Sequence, residues 1–209
     1  MNASSPQPES IFKRVLLLYG AYMLLNNGAY LVGFYLLPEG FMRGSPQTAT
    51  ARLVDSATSF GTEFTLTLLF NLGMVALLGM LLNLNQVRGI PTGYVIPLVL
   101  GVTGGLIAGT NSFLASDLTQ YSVWEGMALS LGIGNLEMLG YICVIAATVK
   151  LGIYQYKSWW RWTGEWAAIK TGELQDVRLD RFEVAFLIIG FALVVFGAYR
   201  ETLMAWNML

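Results

Sequence analysis

Histidine is absent from the 209 residues and cysteine occurs once, at Cys143. Few side chains are therefore available as nucleophile, metal ligand or acid–base catalyst. What remains is a set of polar groups lodged in long apolar stretches: Asn26, Asn27, Asn71, Asn135, Glu137, Arg200 and Glu201. A carboxylate near a bilayer centre costs at least about 3 kcal/mol if charged and alone, so Glu137 has to be protonated, hydrated or paired. Depth predicts Arg200 as its partner, giving a helix-locking ion pair with the asparagines as interhelical hydrogen-bonding groups. The same cluster could instead bind a proton, an ion or a polar ligand, or meet a partner's helix. No P-loop, CxxC, HExxH or GxGxxG motif accompanies these residues. The expectation is a chain without catalytic site, cofactor or metal.

The elements that must position these groups follow from composition. Apolar residues make up 55% of the chain, charged residues 12%, and the mean hydropathy is +0.57. A soluble domain carries roughly twice that charge. Five runs reach the length of a membrane span: Val15–Leu37, Phe64–Leu82, Tyr94–Phe113, Met127–Tyr154 and Val184–Trp206. The predicted fold class is an all-α integral membrane protein. Met1–Arg14 would be a polar tail, without the layout of a cleavable signal peptide, and 15–209 a single transmembrane domain. At 1.5 Å per residue, Glu137 lies about 15 Å deep and Asn26 and Asn27 roughly 17 Å deep, at the same level. Asn71, Asn135, Arg200 and Glu201 fall nearer one surface, so the polar side chains gather in one half of the bilayer.

Lysine and arginine are unevenly divided between the two sides. Lys13, Arg14, Arg88, Lys150, Lys157, Arg161, Lys170, Arg178 and Arg181 share one side; Arg43 and Arg52 lie on the other, with Arg200 inside the last run. This bias predicts a multi-pass protein of the cell (inner) membrane with its N-terminus cytoplasmic and its C-terminus outside. A net charge of −1 offers nothing to nucleic acid. In the loop from Gln155 to Glu183, Tyr156, Trp159, Trp162, Trp166 and Ile169 recur at helical spacing, opposite Lys157, Arg161, Glu165 and Ala168. That pattern predicts an interfacial amphipathic helix touching lipid or a partner subunit. A shorter surface helix is expected within Gln47–Phe60. The glycines Gly101, Gly104, Gly105 and Gly109 predict close packing of the third span inside the bundle, and Gly132 and Gly134 a close approach beside Glu137.

Several of these residues fall in a recognisable order. Gly134, Glu137, Lys150, Leu151 and Gly152, the final-span Ala198-Tyr199-Arg200-Glu201 and the second-span Phe70-Asn71-Leu72 together resemble the stage II sporulation protein M family. The family's Pro-His pair is Gly132-Ile133 here, and its third-span Asn-Gly is Thr103-Gly104, so no histidine role carries over. The resemblance implies an all-helical membrane scaffold; the sporulation member works with peptidoglycan-degrading partners during engulfment. The leading expectation is thus a non-enzymatic scaffold or accessory subunit with a membrane-protein partner. The alternative is a small permease component using a Glu137-centred site.

Overall fold

The computed structural model describes residues 10–112, 122–132, 134–157 and 167–206. It is mostly helical, and four helical stretches among the described residues are long and apolar enough to cross a membrane: Ile11–Leu36, Phe60–Leu82, Thr92–Gly109 and Arg181–Ala205. Their outward faces carry Leu16, Leu17, Leu24, Leu81, Ile188 and Phe196, all exposed. So much unpartnered apolar surface suits lipid rather than water.

Local chemistry sets where these helices begin and end. Helix α1 (Ile11–Leu36) starts four residues before the predicted span because the Ser10 hydroxyl accepts the Lys13 N–H at 3.4 Å. It stops where Pro38 forces Leu37 into extended backbone, φ −112° and ψ 151°. Ser45 caps α2 (Pro46–Asp55), with Pro46 pre-set for its first turn, which realises the expected surface helix. The second span starts as α3 (Phe60–Leu69), passes through a π-helical run at Phe70–Leu77, and ends as α4 (Leu78–Leu82). Helix α5 (Val95–Gly109) follows a single 3₁₀ turn at Thr92–Tyr94. Asp180 and Glu183 form a reciprocal capping box at the start of α8 (Arg181–Ala205).

The predicted fourth span, Met127–Tyr154, is not one helix. It is α6 (Val123–Gly132) and α7 (Asn135–Ala147), separated at Gly134, whose φ is +74°. The interruption Gly132-Ile133-Gly134-Asn135-Leu136-Glu137 is short and flanked by long apolar stretches, so the run reads as one span; a backbone angle that favours glycine divides it. With 13 residues α7 is about 20 Å long, too short to span alone. It is instead the centre of the bundle, buried from Met138 and Gly140 through Ala147.

Two helix pairs pack around this core. Helices α1 and α5 run parallel, with Gly101 against Tyr22 and Gly109 against Phe34, as the glycine pattern predicted. Helices α7 and α8 run antiparallel through a reciprocal glycine crossing. A β-carbon on Gly140 would sit 3.0 Å from the Val194 nitrogen, and one on Gly190 would sit 3.0 Å from the Val144 nitrogen.

The chain is not purely helical. At the end where α7 finishes and α8 starts, short strands β1 (Asn85–Val87), β2 (Ile90–Pro91), β3 (Tyr154–Tyr156) and β4 (Ile169–Lys170) form one sheet in the order β2-β1-β3-β4. Strands β1 and β3 pair in parallel, and β3 and β4 antiparallel. The amphipathic helix expected over Tyr156–Ile169 therefore fails at both ends, which are strands stitched to the β1 ladder. Trp159, Trp162, Trp166 and Arg161 lie outside the described residues.

The sheet end also carries the ion pairs that tie the bundle together. Glu183, fully buried, accepts from Arg14 at 2.8 Å and from Lys150 at 2.7 Å. Arg14 also donates to the Ala146 carbonyl, and Asn83 donates to the Ile145 carbonyl and the Thr148 hydroxyl. The carbonyls at the end of α7, which a helix cannot satisfy internally, are met by side chains of two other elements.

Candidate functional site

At the opposite end, a cavity of about 560 Å³ opens between α1, α2, the π-helical run, α5, α7 and α8. Glu137 stands in the first turn of α7, directly after the left-handed Gly134, so the helix break itself delivers its carboxyl to the cavity. Its Oε1 accepts from Asn71 Nδ2 at 2.7 Å. Asn71 is the second residue of the π-helical run, where one extra residue per turn rotates side chains off the α-helical stripe. The carboxyl of Glu201 on α8 lies within hydrogen-bonding reach of Glu137. Room for this meeting comes from Gly197, where a β-carbon would stand 3.3 Å from the Glu137 carboxyl carbon. Gly132 and Gly134 have open space at that position instead, so the close approach beside Glu137 belongs to Gly197.

Two carboxyl groups can share a hydrogen bond only if a proton lies between them, because like charges at that range repel strongly. The remaining walls are mostly apolar and aromatic. Tyr22 and Asn26 come from α1, Phe70 from the π-helical run, Leu100, Gly104 and Ile107 from α5, and Met138 and Tyr141 from α7. Pro46, Gln47, Thr48, Thr50 and Ala51 of α2, with Ala108, Ser112 and Gly134, complete the lining. Helix α2 is fixed above the site by Gln47 donating to Thr103 at 2.5 Å and by the Met42 N–H donating to Ser112 at 3.0 Å. Behind it, Asn111 at φ +46° donates to Glu39 at 2.7 Å.

Of the polar cluster expected from the sequence, Asn26, Asn71, Glu137 and Glu201 meet in this cavity and the others do not. Asn27 turns back on its own helix, donating to the Met23 carbonyl at 2.7 Å. Asn135 accepts from Tyr19 at 2.9 Å. The expected Glu137–Arg200 pair does not form: Arg200 donates to the Gly132 carbonyl at 2.9 Å. The reason is angular. Adjacent residues on a helix point about 100° apart, and Glu201, four residues after Gly197, continues the stripe that faces α7.

Tyr22 and Tyr141 went unnoticed in the sequence because each sits in an otherwise unremarkable apolar context, and Phe70 and the expected surface helix over Gln47–Phe60 were noticed without a role in a site. Among the described residues, no group of three or more His, Cys, Asp or Glu side chains lies at metal-binding spacing. Comparison with protein-family models, curated proteins and solved structures gives no match to this chain.

Proposed function

We propose that this chain is a small membrane permease, or the transport component of one, and that its site is the cavity around Glu137 and Glu201. The observation that carries the reading is a paired carboxyl group at the wall of a ligand-sized cavity inside an otherwise apolar bundle. A scaffold would not require such a cavity, and the Glu137–Arg200 pair expected to hold its bundle is replaced by Arg200 on Gly132. Two backbone irregularities converge on the site, the break at Gly134 and the π-helical run at Asn71. Broken helices of this kind present polar groups to substrates in transporters. The short motifs shared with stage II sporulation protein M supply Glu137, Asn71 and Glu201, and we retain that likeness as a proposal about the family.

The positive-inside rule puts the sheet end, with Arg14, Lys150 and Lys170, in the cytoplasm of a cell-membrane protein, so the cavity faces outward. Single cysteines introduced at Gln155 and Ser56, with Cys143 replaced, test this: impermeant thiol reagent should reach Ser56→Cys in whole cells and Gln155→Cys only after lysis. Labelling of Gln155→Cys from outside would reverse the orientation.

Transport is tested in acid-loaded proteoliposomes holding the purified chain, with quaternary amines, metal cations and sugars added in turn. At least one solute should collapse the pH gradient with the natural chain and not with Glu137→Gln. Equal collapse by the variant would remove Glu137 from the mechanism, and no collapse by any solute would overturn the permease reading.

A further inference from the structure

We infer that the cavity takes a quaternary or otherwise substituted organic ammonium ion, which replaces the proton shared by Glu137 and Glu201; the inference rests on the permease reading of the same site. Size is the first argument. About 560 Å³ falls within the range of small-molecule sites and far exceeds what one desolvated metal ion needs. Wall chemistry is the second. A hard metal ion asks for six or more oxygens around it, whereas the polar patch here is formed by Glu137, Glu201, Asn71 and Asn26. The further polar side chains of the lining are already engaged, Gln47 with Thr103, Thr48 with the Arg43 carbonyl, Thr50 with the Pro46 carbonyl and Ser112 with Thr110. The rest of the lining is mostly apolar, with three aromatic residues, Tyr22, Phe70 and Tyr141. A carboxylate beside aromatic rings is the combination that holds a quaternary ammonium, by charge on one side and by ring quadrupoles on the other.

The sign of the site follows from its neighbours. Asp55 on α2 and Glu63 on α3 act electrostatically on Glu201, so the acidic character extends from the pair toward the rim. The other titratable side chains packed around the pair are Tyr22 of α1 and Tyr141 of α7, while α5 contributes none. The nearby cations are engaged with backbone: Arg52 donates to the Arg43 carbonyl and Arg200 to the Gly132 carbonyl. An anion would meet carboxylates here; a cation meets a matching field.

Charge conservation links the cation to the proton. With one proton shared, the empty pair carries a single negative charge. A monovalent cation that displaces this proton to solvent leaves the site's net charge unchanged, which avoids setting two uncompensated negative charges side by side. The cation and the proton then compete for one place.

The test is calorimetric titration of the purified full-length chain with benzyltrimethylammonium, whose charge is permanent, in buffers of different ionisation enthalpy. The expected result is saturable binding with one proton released per cation. Affinity should fall about tenfold for each pH unit of acidification where release occurs. Benzyl alcohol and benzoate should not compete. Glu201→Gln, on the exposed flank of α8, should abolish proton release and weaken binding at least about tenfold, and it serves if Glu137→Gln fails to fold. Equal binding of benzyl alcohol, or binding unchanged by Glu201→Gln, or binding without proton release, would overturn the inference. If benzyltrimethylammonium does not bind while another solute still collapses the pH gradient through Glu137, the ligand class fails and the permease reading stands. Binding with proton release but no flux would do the reverse.

Discussion

At the scale of single residues, Glu137 illustrates what a sequence reveals about a buried charge and what it hides. That the carboxyl needs a partner was evident from its place in an apolar run. Which partner it takes depended on one residue of helical phase, choosing Glu201 over Arg200. Asn71 is the neutral member of the trio and the easiest to probe. Asn71→Ala removes the 2.7 Å bond to Glu137 and should cost about 1 kcal/mol of stability, in line with interhelical hydrogen bonds in membranes. Unfolding of the detergent-solubilised chain measures this. A neutral result would mean that water or Glu201 replaces the amide at no cost.

At the scale of elements, the α7–α8 contact is where packing leaves least room. Gly140 and Gly190 face each other so that a side chain on either would press on backbone within about 3.0 Å. Gly190→Val should therefore destabilise the fold by roughly 1–3 kcal/mol or prevent assembly, whereas Gly28→Ala, with open space around it, should be tolerated. The break before α7 obeys a different rule. Gly134→Ala meets no atom but must hold φ near +74°, at a cost of roughly 1 kcal/mol. Its more telling effect is on the site: ligand affinity should fall more than stability does if the turn aims Glu137. The glycines and polar residues at 132–137 mark the place of this break, but within a run as long as Met127–Tyr154 they read equally well as a polar patch in one continuous helix.

At the scale of the whole molecule, three separate parts of the chain are bound together at the sheet end by Arg14, Lys150 and Glu183. Glu183→Ala removes the carboxylate both cations share and should cost about 3–5 kcal/mol, read as a lowered Tm, far more than any exposed pair would. The pH dependence follows from the two exposed members. Lys150 is raised above 10.5, chiefly by its bond to Glu183, so its contribution is complete below that value and is lost as pH rises through the folded value. Asp180 is lowered below 3.8, chiefly by the Glu183 N–H it accepts, so its contribution is complete above that value and fades as pH falls through the folded one. Stability from this cluster should be flat across neutral pH and drop at both extremes; a maximum confined to acid pH would contradict the assignment.

The sequence by itself determined that the chain has helices long and apolar enough to cross a membrane. Hydropathy and charge depletion are sums over local residues, so the apolar helices, their approximate limits and the glycine face of α5 could be read without a structure. It also located Asn26, Asn71, Glu137 and Glu201 in the same half of the bundle, since depth is a linear function of position along a helix. Only the tertiary structure decided which of the polar residues meet. Meeting depends on rotation about each helix axis, and here that rotation is set by a left-handed glycine, a π-helical run and a glycine crossing that have no counterpart in hydropathy. The sheet was hidden for the same reason: its strands are two or three residues long, and only pairing between segments far apart in the chain makes them strands.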